Sequence, residues 1–215
     1  MLNKSKKLKK RNLVTYANAD SLISDQFRTV RANIQFLTVD GKKRTFLMTS
    51  SVSGEGKSVT TANLAVSMAQ QKERVLLIDA NLRKPIIHEI FKISQDCGLT
   101  NVLMKNAALD RAIKKTGIGK LDILPCGNSV NNPAELLTSD WMSSILRQVS
   151  ESYDIVLIDA PDVLHTTETR VLANYCDGVV LVLTKGKTTL EKAIKARKVL
   201  ELAHAELVGA IINEK

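Results

Sequence analysis

The residues with the clearest chemical potential are Ser51 to Ser58, Ser-Val-Ser-Gly-Glu-Gly-Lys-Ser. Gly54 and Gly56 permit backbone conformations in which several N–H groups converge on one anion. The Lys-Ser pair opens a run rich in Ala and Leu up to Gln71, so a helix N-terminus adds partial positive charge behind the turn. Lys57 can reach the terminal phosphates of a nucleotide, and the Ser58 hydroxyl can ligate a magnesium ion. Ser53, Gly54, Glu55, Gly56, Lys57, Ser58 and Val59 are therefore the expected nucleotide contacts. The motif is G-x-x-x-x-G-K-[ST] with Ser51 at the first glycine position. Two carboxylates belong with it: Leu76-Leu77-Ile78-Asp79 and Val156-Leu157-Ile158-Asp159 are apolar runs that each end in Asp. Magnesium prefers carboxylate, hydroxyl and phosphate oxygens, so Ser58, Asp79 and Asp159 form the expected metal set, with Asn81 as an uncharged fourth member. Arg83 suits either a phosphate or a carboxylate.

These groups need strands to present them. The pattern from Lys43 onward alternates strands, expected at 45–49, 74–79, 121–125, 154–159, 178–184 and 207–212, with helices near 58–71, 98–115, 134–151, 166–175 and 188–203. Continuous apolar runs such as Val75-Leu76-Leu77-Ile78 mark strands buried on both faces. The fold expected is α/β, a P-loop NTPase with a doubly wound, mostly parallel sheet and its chemistry at the C-terminal strand ends. Before the alternation, a helix from Asp20 or Ser21 to about Leu37 carries Ile23, Phe27, Val30, Ile34 and Leu37 as one apolar stripe. Asp25, Arg28 and Arg31 fall on its other side as a charged ridge. The domain reading is a basic arm at 1–17 and one domain at 18–215, divided into an N-terminal helix at 18–40 and a nucleotide-binding core at 41–215.

Composition narrows the functional classes. With 215 residues, 44% hydrophobic and 25% charged, the chain is of globular type. Its 4% aromatic content disfavours a base-stacking surface, and no nucleic-acid partner is expected. No apolar run reaches the roughly 18 residues of a membrane span. Three widely spaced cysteines read as reduced thiols, which points to the cytoplasm. The net charge of +9 is uneven, with six basic residues and no acid in residues 1–12. Such an arm is a solvated tail, a contact to an anionic membrane surface or, with no basic stripe on the body to support it, a nucleic-acid contact.

The motifs together resemble the cytoplasmic kinase domain of the bacterial tyrosine kinases of capsular and exopolysaccharide synthesis. The resemblance rests on residues 53–58, on Leu77-Ile-Asp-Ala-Asn-Leu-Arg-Lys-Pro85, on Val156-Leu-Ile-Asp-Ala-Pro161, on Asn132-Pro-Ala-Glu-Leu-Leu137, and on Asp25-x-x-Arg28-x-x-Arg31. Val52 stands where the related partition and division-site ATPases carry a signature lysine. The resemblance implies ATP and Mg²⁺ as cofactors. It makes Lys57, Asp79, Asn81 and Asp159 the catalytic group, with Asp79 orienting or deprotonating a tyrosine hydroxyl, and Asn213 the residue that reads adenine. It implies an octamer-like ring joined through Asp25, Arg28 and Arg31, and a transmembrane adaptor as activator. A cognate tyrosine phosphatase and polysaccharide-synthesis enzymes would be further partners, at the inner face of the membrane. Asn81 replaces the family's second Asp, Asp25 replaces Glu, and the only tyrosines are Tyr16, Tyr153 and Tyr175. Those departures motivate an alternative: an ATP-binding assembly regulator with little or no kinase activity.

Overall fold

The computed structural model describes residues 13–38 and 44–214. In chain order the elements are α1 (Val14–Ala17), α2 (Leu22–Thr38), β1 (Thr45–Ser50), α3 (Lys57–Ala69), β2 (Val75–Asp79), α4 (Ile87–Phe91), α5 (Leu99–Leu103), α6 (Leu109–Ala112), β3 (Lys114–Lys115) and β4 (Leu121–Leu124). They continue with α7 (Pro133–Leu137), α8 (Asp140–Ser152), β5 (Ile155–Asp159), α9 (Thr167–Asn174), β6 (Gly178–Thr184), α10 (Leu190–Leu202) and β7 (Leu207–Asn213).

The seven strands form one sheet in the order β3-β4-β2-β5-β1-β6-β7. Every pairing is parallel except β3 with β4. The period-2 geometry of a strand sends alternate side chains to opposite faces. Leu76, Ile78, Val156 and Ile158 accordingly enter one core layer, and Val75, Leu77, Ile155 and Leu157 the other. This double burial is why the central strands are apolar without alternation.

Helix α2 packs on the second layer through Ile34, with Phe27, Val30 and Leu37 beside it. Ile23, expected in the same stripe, is 50% exposed because it lies beyond the end of that contact. Of the ridge, Asp25 and Arg28 form an exposed ion pair at 2.5 Å. Arg31 departs from the expectation: its guanidinium donates to Ser67 O at 2.7 Å, tying α2 to α3 within the chain.

The arm expected at 1–17 lies outside the described residues as far as position 12. Residues 13–17 belong to the folded body instead. Buried Thr15 donates its N–H (3.1 Å) and its hydroxyl (3.0 Å) to Asn63 Oδ1. Two expected helices are each divided. The 98–115 segment breaks at Lys105, whose φ of 60° no helix continues, and ends in β3. The 134–151 segment breaks at Ser139, whose extended backbone begins α8. Next in the chain, Met142 is buried in the core while Trp141 is 44% exposed.

Candidate active site

The strand order places β1, β2 and β5 side by side, and their C-terminal ends carry the site. Asp79 and Asp159 are paired in register across β2 and β5, and Met48 of β1 is paired with Asp159 on the other side. The loop 51–56 leaves β1 at that edge and feeds α3. Gly54 and Gly56 have φ of 81° and 82°, the left-handed conformation that lets consecutive N–H groups turn toward an anion. At Gly56 a Cβ would lie 2.2 Å from Asn213 Nδ2, so the position is closed to any side chain.

Lys57 is buried, with its Nζ 3.1 Å from Ser58 Oγ and 3.7 Å from Asp159 Oδ1. A cavity of about 480 Å³ lies above them, lined by Ser53, Gly54, Gly56, Lys57, Ser58, Val59 and Asn81 among others. Asp79 and Asp159 are fully buried beneath it rather than projecting into it. Asp79 is held by three backbone N–H groups: Asn81 donates to Oδ1 (3.2 Å), while Ile86 (3.2 Å) and Ile87 (3.1 Å) donate to Oδ2. Burial, reinforced by the charge of Asp159, nonetheless raises its carboxyl from 3.8 to about 7. Burial raises Asp159 as well, opposed by Lys57 and Ser58.

Both Asp159 oxygens are buried without a hydrogen-bond partner among the described residues. An orphaned, buried carboxylate beside a hydroxyl and an ammonium fits a hydrated divalent cation, since a buried anion needs a compensating charge. Ser58 and Asp159 are the residues that could hold magnesium, with substrate phosphates completing the shell.

The Glu55 side chain braces the loop. Its carboxylate turns away from the cavity, taking the Val52 N–H at 3.0 Å and the Thr188 hydroxyl. Only its backbone N–H remains for a phosphate. Its carbonyl accepts from Thr184 Oγ1 (3.0 Å) and from Asn213 Nδ2 (3.2 Å), and Lys187 Nζ donates to Gly54 O at 3.0 Å. The loop is thus laced to β6, β7 and the turn between β6 and α10. Sequence reading missed Thr184, Lys187 and Thr188, because Thr and Lys in a strand and its turn carry no local signal of a contact 130 residues away. Arg83, open between phosphate and carboxylate, is bound to Glu168 at 2.6 Å, and His165 faces Asp162 through Nδ1 at 2.5 Å.

A Gly-bearing loop between strand and helix over two register-paired aspartates defines a P-loop nucleotide-binding protein, and residues 43–206 match the family described as AAA domain. Within that class the relatives are specific. The chain is 43% identical over 205 residues to tyrosine-protein kinase YwqD of Bacillus subtilis, covering 95% of this chain and 86% of that protein. Among solved structures it is similar to the chimerical protein CapA2B2, at TM-score 0.89 and 32% identity over 94% of this chain and 89% of that one. It is also similar to the kinase domain of the Escherichia coli tyrosine kinase ETK, at TM-score 0.91 and 28% identity over 94% and 79%. The chain belongs to the family of bacterial tyrosine-protein kinases.

Proposed function

We propose that this protein transfers the γ-phosphoryl group of ATP to tyrosine hydroxyls, on copies of itself and on proteins of capsular or exopolysaccharide synthesis. The observation that carries the reading is the pairing of the loop with Asp79 and Asp159 across one strand register, under Lys57. The left-handed turn at Gly54 and Gly56 and the start of α3 would cradle the β- and γ-phosphates, with Lys57 neutralising charge that develops during transfer. Magnesium, when bound, would be held by Ser58 and Asp159 and would offset the charge of the phosphates. Asn213 would keep its amide on the loop and present Oδ1 to the amino group of adenine. The tyrosine oxygen would form its bond to the γ-phosphorus as the bond to the bridging oxygen breaks. The phenol proton would go to Asp79, whose raised value gives it proton affinity near neutral pH. Because Asn81, Ile86 and Ile87 wrap that carboxylate, the 81–87 segment has to open for an acceptor to reach it.

No helix among the described residues is long and apolar enough to cross a membrane. A transmembrane adaptor would therefore supply anchorage at the inner membrane face and activation. The exposed Asp25–Arg28 pair on α2 would enter a neighbouring subunit of a ring, whereas Arg31 would act by fixing α2 to α3. A tyrosine phosphatase would reverse the modification. Lys57→Met tests the reading: incubated with ATP, Mg²⁺ and a tyrosine acceptor, it should lose at least 100-fold in phosphotyrosine formation. Undiminished transfer would sink the proposal. The regulator alternative rests on Asn81 and predicts a wild-type rate indistinguishable from that of Lys57→Met.

A further inference from the structure

A second cavity, of about 600 Å³, adjoins the nucleotide cavity and shares two of its walls, Ser53 and His165. Its other walls are Val52 from the loop, Leu164 from the β5–α9 connection, and Glu191, Lys192 and Lys195 from the first turns of α10. We propose that this cavity seats the acceptor segment and selects tyrosines flanked by acidic residues. The inference rests on the kinase reading above and extends it to the substrate class.

Position is the first argument. Val52 and Ser53 belong to the phosphate-binding loop and directly precede its glycines, and Ser53 and His165 line both cavities, so an occupant of this cavity lies against the nucleotide cavity. Charge is the second. Lys192 and Lys195 are exposed, stand on one face of α10, and make no ion pair among the described residues. The two lysines outnumber the single acidic wall residue, Glu191. A cationic wall of this kind favours acidic flanks and repels basic ones. Shape is the third: Val52 and Leu164 provide an apolar patch for the chain beside the tyrosine, whose ring would extend into the adjoining nucleotide cavity, and Asp162 fixes the His165 imidazole through Nδ1, leaving its other nitrogen as a hydrogen-bonding edge between the two cavities. Two of the chain's own tyrosines are already engaged elsewhere. The Tyr153 hydroxyl donates to Asp122 at 3.0 Å and that of Tyr175 to Thr138 O at 3.4 Å.

The test uses the full chain and two synthetic tyrosine peptides that differ only in flanks, Asp/Glu against Ser/Gln. Wild type should prefer the acidic peptide in kcat/KM, and K192E/K195E should reduce that preference at least 10-fold, mostly through KM. The affinity for a fluorescent ATP analogue should stay within twofold. An unchanged preference overturns the proposal; so does a weakened nucleotide affinity, which would assign the cavity to the nucleotide. Should wild type phosphorylate neither peptide, the kinase reading fails separately. Binding of a labelled acidic peptide with Phe in place of Tyr then decides: loss in K192E/K195E upholds the cavity, and equal binding overturns it.

Discussion

The buried carboxylate pair makes the stability of the nucleotide-free protein fall as pH rises from about 4 to about 7. Asp79 has its carboxyl raised from 3.8 to about 7, first by burial and then by Asp159. In the window between those values the folded chain holds a proton that the unfolded chain has lost. Unfolding releases it, so rising pH favours unfolding. The difference of about three pKa units corresponds to roughly 4 kcal/mol lost between the two ends. Asp159 is raised in the same direction and adds to the slope. Asp79→Asn removes the titration of this site. It also leaves one carboxamide oxygen to serve three N–H donors, those of Asn81, Ile86 and Ile87. Unmet donors cost about 1–3 kcal/mol. Between pH 5 and pH 8 the variant should therefore gain roughly 3 kcal/mol on wild type, which offsets the about 1–3 kcal/mol that the unmet donors cost it. Urea unfolding at pH 5, 6, 7 and 8, without nucleotide and with chelator, measures the difference. A wild-type minus variant difference that stays constant or grows with pH would refute the reasoning, whatever other groups contribute to each curve.

Three further outcomes are expected. Gly56→Ala meets Asn213 at 2.2 Å and forces a side chain onto a φ of 82°, a cost of about 1–2 kcal/mol from conformation alone, so nucleotide affinity measured by titration calorimetry should fall at least about tenfold. Asp177→Ala strips the acceptor from the Arg44 N–H, the Thr45 N–H and the Thr45 hydroxyl, all within 2.8 Å of Asp177 Oδ2, and should cost about 2–4 kcal/mol in urea unfolding without altering nucleotide contacts. Asn81→Asp places a carboxylate on the floor of the nucleotide cavity; Mg²⁺ should then bind more tightly in the presence of ADP, and the rate of transfer should rise, which steady-state kinetics at limiting Mg²⁺ would register.

Much of this molecule was legible in the chain before any coordinates. Runs such as Val75–Asp79 and Ile155–Asp159, short, rich in Val and Ile and without alternation, read as strands buried on two faces, because a one-sided strand would alternate. The loop 51–58 is a local device: its glycines, its lysine and the helix behind it act on one phosphate without help from distant sequence, so type and spacing alone announced it. The two aspartates were legible for the same reason, each ending its own strand. Tertiary structure decided what neighbours those residues meet. The order β2-β5-β1 brought Asp79 beside Asp159 and sank both below the cavity, and that burial, rather than the identity of the residue, raises their carboxyls. The Glu55 carboxylate, about which the motif says nothing, became a strut because Thr188 lay within reach of it. Arg31, a ridge residue by helical periodicity, was claimed by Ser67 of α3. Periodicity reports which side of a helix a residue occupies. Whether a long cationic side chain reaches solvent, a neighbouring helix or another subunit depends on what the fold sets down beside it.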